Sequence, residues 1–254
     1  MVDLEKFKKI IREELNVDLF SYKEEQLHRR LKSFFIRNNI GDLEEYAKVL
    51  SSNITEREKF LDFVTINVTE FYRNPELYKS LSDILKERAK QNLKIWSAAC
   101  SNGAEPYSLA IMLNELGFSG YNIYGTDLDP NVIRKAKEGI YESLDIKNLP
   151  EKLILKYFTK IGDTYHLSNS IKKTVKFKVH DLLMDGFDDE YDLILCRNVV
   201  IYFNSEAKER LYKKLSKSLK PDGLFFVGAT ENIHEYNNYN FEKVSSFIYK
   251  KIIR

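Results

Sequence analysis

Up to about residue 70 the chain is patterned for helix, with Leu4, Phe7, Ile11 and Leu15 recurring at spacings of three and four and almost no strand-like alternation. A second helix is predicted over "YKEEQLHRRLKSFFIRNN", with Leu27, Leu31, Phe34 and Phe35 on one face and Gly41 as its stop. A third, "DLEEYAKVL", opens on an Asp N-cap. From Lys94 the texture changes. Short apolar runs, "KIWSAA", "YNIYGTD", "VKFKVHD", "YDLILC" and "GLFFVGA", alternate with the amphipathic stretches "EPYSLAIMLNEL", "PNVIRKAKEGI" and "SEAKERLYKKLSKSL". That alternation predicts a parallel sheet flanked by helices. Residues 141–176 break it with a short helix pattern and the turn-rich "KIGDTYHLSNSIKKT", which read as an inserted β-hairpin or three-stranded flap.

Composition narrows the class only slightly. In 254 residues, 43% hydrophobic and 31% charged, there is enough chain for one large core and a helical appendage. A net charge of +2 names no partner. Cys100 and Cys196, the only cysteines, sit in apolar strand-like runs with no disulfide or metal-site spacing, which fits a reducing cytoplasm. The amphipathic start "MVDLEKFKKIIREEL" has no apolar leader core, and no run is long enough to span a bilayer. The expectation is a cytoplasmic chain that is neither exported nor embedded.

In an open α/β sheet, ligands gather beyond the carboxyl ends of the strands. Asp127, at the end of the second strand, stands where an acid grips the hydroxyls of an adenosine ribose, and Asp181 ends the next strand, where an acid accepts from the adenine amino group. Either acid alone reads equally well as a turn or helix cap. The turn "CSNGAEPYS" has one glycine, so it is neither a dinucleotide fingerprint nor a P-loop. A phosphate-free, cationic adenosine cofactor, S-adenosylmethionine, suits it better: Glu105 can pair with the ammonium or sulfonium region, while the same charge would repel pyrophosphate. Glu105 and Pro106 also suit a plain helix start, and both readings can hold. Upstream, Asn67, Thr69 and Arg73 are spaced through "FVTINVTEFYRNPELY" at the junction of the two textures, as an ordinary linker or as a segment folded over a cofactor.

Taken in order, these stretches resemble the chemotaxis receptor (protein-glutamate) O-methyltransferase family of the CheR type. "TINVTEFYRNP" resembles its T-x-N-x-T-x-F-F-R-x-P segment, and "IWSAACSNGAEPYSLAIML" its W-S-A-x-C-S-x-G-E-E-P-Y-S turn. "GTDLDPNVIRKAKEGIY" resembles its second-strand block; "YDLILCRNVVIYF" and "LKPDGLFFVGATE" resemble its C-R-N-x-x-I-Y-F and L-K-P-G-G-x-L-x-x-G-x-S-E blocks. Ala104 replaces the first acid of the usual Glu-Glu pair, Tyr72 replaces a Phe, and "GATE" stands where "GHSE" is common.

The resemblance implies an α/β class I S-adenosylmethionine-dependent methyltransferase with a Rossmann-like sheet. It implies an N-terminal all-helical receptor-recognition domain over 1–72 and a methyltransferase domain over 73–254 with a small β-insertion at about 141–176. Carried over residue by residue, the cofactor contacts are Asn67, Thr69, Arg73, Glu105, Asp127, Asp181, Leu182, Arg197 and Asn198, with Arg73 and Tyr202 nearest the transferred methyl. The implied cofactor is S-adenosyl-L-methionine, leaving S-adenosyl-L-homocysteine as product, with no metal. The implied substrate is a glutamate on the cytoplasmic helices of methyl-accepting chemotaxis receptors, methylated for sensory adaptation. Arg29, Arg30, Lys32 and Arg37 on the second helix are its docking candidates, although from the residues alone they read as a solvated face. The resemblance further implies a monomer with no nucleic-acid partner and no membrane insertion. The shortness of "KIGDTYHLSN" argues against dependence on a receptor's pentapeptide tether.

A glutamate is already anionic at neutral pH, so no general base is required. His28, His166, His180 and His234 are accordingly expected at surface or structural positions. Two rivals stay open: a methyltransferase for nucleic acid or a small molecule, against which "CRNVVIYF" lacks the Asn/Asp-Pro-Pro-Tyr of amine-methylating enzymes, and a non-catalytic module that binds the cofactor and reports it.

Overall fold

The structure is a computed structural model that describes residues 4–88 and 91–253. Residues 1–3, 89–90 and 254, which belong to the expected 1–72 and 73–254 units, lie outside the described residues. The first elements are all helices: α1 (Leu4–Leu15), α2 (Glu24–Arg37), α3 (Leu43–Ser52) and α4 (Ile54–Val64). Their apolar stripes meet in a core of their own, built on Phe7, Ile11, Leu31, Phe34, Leu50 and Phe60. Asp42 caps α3, accepting from the Glu44 and Glu45 amides at 2.9 and 3.1 Å, and Asn53 caps α4 in the same way.

Helix α2 is shorter at both ends than its sequence pattern predicts. Residues 19–21 form a 3-10 turn and Tyr22 is extended, so the helix starts at Glu24. It stops before Gly41 because Asn39 takes the left-handed conformation (φ 54°). The Ile40 amide then reaches back to the Phe35 carbonyl at 2.9 Å and the Asn39 amide to Ile36 at 3.2 Å.

Downstream, helices and strands alternate. In chain order they are α5 (Pro75–Lys86), β1 (Gln91–Ala98), α6 (Ala104–Glu115), β2 (Ser119–Asp127), α7 (Pro130–Glu138), β3 (Ile140–Tyr141), α8 (Glu151–Tyr157), β4 (Phe158–Ile161), β5 (Thr164–Leu167), α9 (Asn169–Lys172), β6 (Val175–Val179), β7 (Tyr191–Cys196), α10 (Ser205–Ser218), β8 (Leu219–Val227), β9 (Phe241–Ser245) and β10 (Ile248–Lys251). Seven strands form one sheet in the order β6-β2-β1-β7-β8-β10-β9. The first five run parallel; β10 is antiparallel to β8, and β9 to β10. Strands β3, β5 and β4 make a separate three-stranded sheet.

The sheet is buried on both faces, as its near-continuous apolar strands require. Leu193 and Leu195 face one core with Tyr78, Leu81, Leu109 and Leu113 of α5 and α6, while Ile194 and Cys196 face the other with Leu211 and Leu215 of α10. Each such leucine contributes roughly 1.5–3 kcal/mol by leaving water. Helix α6 is buried on every side from Ala104 to Leu113, lying between the large sheet and the layer that includes Tyr141, Leu153 and Phe158.

Two seams join the helical unit to the sheet unit. Chain segment 21–23 runs against 202–204: the Lys23 amide donates to the Tyr202 carbonyl at 2.8 Å and the Asn204 amide to the Ser21 carbonyl at 2.9 Å. Leu128 packs on the helical core, and Arg134 of α7 lies 3.9 Å from Glu58 of α4.

Candidate active site

Strand order reverses between β1 and β7, and at their carboxyl ends the loops part to leave a cleft of about 870 Å³, open mouth included. The turn after β1 forms its floor. Ala99 (φ 60°), Ser101 (φ 49°) and Gly103 (φ 84°) are all left-handed, but only position 103 demands glycine. There a Cβ would stand 2.9 Å from the Ala136 Cβ and 3.1 Å from Phe177. The single glycine therefore lets α6 pack against α7 and β6.

Asp127 closes this turn. One carboxylate oxygen accepts from the Ser101 amide at 2.8 Å and the other from the Asp129 amide at 3.1 Å, so each retains a lone pair. Burial outweighs these bonds and raises the Asp127 pKa to about 6. Asp181 accepts from the Leu183 amide at 2.7 Å through one oxygen, and burial raises its pKa as well. Both acids are thus turn formers and cleft-lining acceptors at once.

Glu105 differs from its expected arrangement. Its carboxylate does not present a free charge to the cleft: it accepts from the Ser97 hydroxyl at 2.7 Å and pairs with Arg197 at 3.2 Å. The Arg197 side chain is 1% exposed; its guanidinium lies over the Phe226 and Tyr78 rings and donates to the Arg73 carbonyl at 2.9 Å. Burial still raises the Glu105 pKa, against the pull of Arg197. The sequence could not pair two residues 92 positions apart, and this internal pair weakens the contrast between cation and phosphate that a lone Glu105 would give.

The segment between the units forms a wall of the cleft. Asn67 donates to Asp129 Oδ2 at 2.9 Å and to Thr65 Oγ1 at 3.0 Å, and Arg73 donates to the Val68 carbonyl at 2.8 Å. Asp129, fully buried, also caps α7 through the Asn131 amide at 2.8 Å, so one carboxylate ties this wall to the sheet unit. Across the cleft, the turn after β7 puts Asn198 (φ 60°), Val199 and Tyr202 on the lining. Burial raises the Tyr202 pKa, and the charges of Arg30 and Arg73 act on it in the opposite direction.

Asn67, Thr69, Arg73, Glu105, Asp127, Asp181, Leu182, Arg197, Asn198 and Tyr202 all line this one cleft. A second depression shares Tyr22, Val64, Ile66 and Tyr202 with it and is edged by Lys23, Gln26, Arg29 and Arg30 of the helical unit. Arg30 donates to the Phe63 carbonyl and lies over the Phe63 ring. Lys32 and Arg37 are exposed on α2 and line neither space.

Sequence reasoning misses three residues. Glu231, 3% exposed, accepts from the Asn198 (2.6 Å), Gly228 (2.8 Å) and Val200 (3.1 Å) amides and so holds the turn that carries Tyr202. The acid of "GATE" is its only sequence signal. His180 lines the cleft, packed edge-on against Trp96, with burial lowering its pKa. Tyr22, from the helical unit, lines it too and carries no motif.

The lining suits a cationic adenosine derivative better than a phosphate. Three carboxylates face two guanidiniums, and one of those is already paired. Ser101 Oγ, His180 Nε2 and Arg197 Nε are buried without a hydrogen-bond partner among the described residues, which leaves polar groups for a ligand to satisfy. Both cysteines are free and buried, with thiol pKa values raised by burial, and neither lines the cleft.

Comparison with known proteins agrees with this chemistry. Residues 67–249 match the family described as CheR methyltransferase, SAM binding domain, and residues 2–65 match CheR methyltransferase, all-alpha domain. A chemotaxis protein methyltransferase of Listeria monocytogenes serovar 1/2a is 37% identical over 258 residues, 98% of each chain. One from Borreliella burgdorferi is 31% identical, covering 98% of this chain and 94% of its own. One from Escherichia coli strain K12 is 31% identical, over 88% of this chain and 82% of its own.

Proposed function

Because this chain belongs to the CheR methyltransferase family and is an S-adenosylmethionine-dependent methyltransferase with a class I fold, we propose that it esterifies glutamate side chains on the cytoplasmic helices of chemoreceptors. The observation that carries this reading is the convergence in one cleft of every cofactor position expected from the sequence with the arginine-edged depression beside it. When bound, S-adenosylmethionine supplies a methyl group activated by a sulfonium. Asp127 would accept from the ribose hydroxyls and Asp181 from the base. Asn67, Thr69, Leu182 and Asn198 would complete the walls, and the Glu105–Arg197 pair would meet the zwitterionic tail, Arg197 Nε toward its carboxylate.

The chain's contribution to the transfer is positional and electrostatic. A glutamate carboxylate arrives ionised and needs no proton removed. Arg73 and the Tyr202 hydroxyl, both on the cleft wall, would orient it, with Val64, Ile66 and Val68 giving the cleft an apolar side. Arg29 and Arg30 would receive acidic residues flanking the target, with Lys32 and Arg37 forming the outer rim. In this reading residues 1–72 recognise the receptor and 73–254 carry the transfer. The 141–176 insertion offers four-residue strands β4 and β5, no long edge for a tether, and on this reading the protein acts as a monomer in the cytoplasm. No helix among the described residues is long and apolar enough to cross a membrane.

Incubation with methyl-labelled cofactor and receptor cytoplasmic fragments, followed by mild alkali, tests the reaction. Released labelled methanol supports an ester; label that resists alkali indicates N-methylation and rejects it. Arg73→Ala is expected to lower kcat/KM for the receptor by about a hundredfold, measured at saturating cofactor. Full activity at equal cofactor occupancy would remove Arg73 from this role. Raising salt from 50 to 500 mM should weaken receptor KM in the wild type and much less in Arg29→Ala/Arg30→Ala. A parallel salt response in both would exclude those arginines from docking.

A further inference from the structure

We propose that Tyr22 belongs to the cofactor site, so that the helical unit closes the nucleoside end of the cleft and cofactor binding and unit docking reinforce one another. The proposal rests on the S-adenosylmethionine reading of the cleft and adds to it a residue from outside the methyltransferase sheet. Tyr22 is held from both sides. Upstream, Asp18 fixes the turn by accepting from the Ser21 hydroxyl at 2.7 Å and the Phe20 amide at 3.1 Å. Downstream, Tyr22 bridges Phe203, and the two rings meet edge to face at 5.3 Å. Arg210 reaches Ser21 Oγ at 3.0 Å, and the Asn204 side-chain amide donates to the Phe20 carbonyl at 3.0 Å.

With its ring fixed this way, Tyr22 lines the same cleft as Asp127 and Asp181, and the charges of both carboxylates act with burial to raise its hydroxyl pKa. No hydrogen bond of that hydroxyl occurs among the described residues. A phenol beside the two carboxylates that would grip ribose and base offers a flat wall and a further donor to the same nucleoside. The ring is carried by the strand pairing that docks the helical unit. Any ligand touching it therefore favours the docked state by its differential contact, and by linkage docking tightens the ligand to the same extent.

Titration of S-adenosylhomocysteine onto the full chain, without acceptor, tests the contact. Tyr22→Phe keeps the ring and its packing on Phe203 and should weaken binding by about three- to tenfold, the loss of one hydrogen bond, with unchanged circular dichroism. Hydrogen exchange at the Lys23 and Asn204 amides, which make the docking bonds, should slow when S-adenosylhomocysteine is added and slow less in Tyr22→Phe. Equal affinity in variant and wild type, or protection at those amides that ignores S-adenosylhomocysteine, overturns the proposal. Normal S-adenosylhomocysteine binding with no ester formed would instead overturn the acceptor reading and leave Tyr22 in place.

Discussion

Asp127→Asn is expected to weaken S-adenosylhomocysteine binding by about a hundredfold at pH 7.5, because a charged acceptor of two hydrogen bonds becomes a neutral one with a single acceptor oxygen. The wild-type pKa of about 6 adds a pH signature. Affinity should fall as pH drops through 6 in the wild type and stay nearly flat in the variant. Stability moves the other way. The folded-state pKa lies above the ordinary value of 3.8, so the folded protein binds the extra proton between those two pH values and loses stability as pH rises across them. The ionised carboxylate therefore costs the ligand-free fold about 3 kcal/mol above pH 6. Relative to wild type, Asp127→Asn should gain about that much stability between pH 3.5 and 7, read from urea unfolding at each pH. A stability difference that does not change over that range would show that burial does not govern Asp127.

Glu105→Gln should be among the most destabilising single changes in the sheet unit. It leaves the Arg197 guanidinium, 1% exposed, between aromatic rings without its direct ion-pair partner. Breaking a buried pair in this way costs about 3–5 kcal/mol, which for a chain of this size lowers the melting temperature by about 10 °C. Glu105→Leu/Arg197→Met removes both charges and should recover most of that loss while remaining unable to bind S-adenosylhomocysteine. Recovery of binding along with stability would mean that the pair is scaffolding alone. A Glu105→Gln protein that melts like wild type would mean that the pair is not formed in solution.

The parts of this site that are legible in the sequence are those whose geometry is local. Asp127 ends its own strand, and the turn from Ala99 to Gly103 announces itself by one glycine ahead of an acid and a proline. The order of strands with helices between them fixes which loops share an edge. Partners far apart in the chain stay hidden. Glu105 looks like a free charge because Arg197 reaches it only through the pairing of β1 with β7. Glu231 looks like the end of a strand block, although its three accepted amides hold the turn that bears Tyr202. Tyr22 has the pattern of a helix residue, and only its antiparallel bridge to Phe203 pulls it out into extended chain. Strands β9 and β10 escape because FEKVS and IYKK do not alternate apolar with polar residues.

The seam between residues 21–23 and 202–204 also sets an order of assembly. On the ribosome the helical unit emerges first and has a core of its own, so it can fold early. The strand edge it must dock against exists only once Phe203 has been made and the parallel sheet around β7 has formed, and parallel pairing is slow. For much of its synthesis the nascent chain therefore carries a finished helical bundle with Tyr22 exposed beside an unfinished sheet. The cofactor cleft is complete only when the two units dock, and the earliest-made residue on its wall must wait for Phe203 before it finds its place.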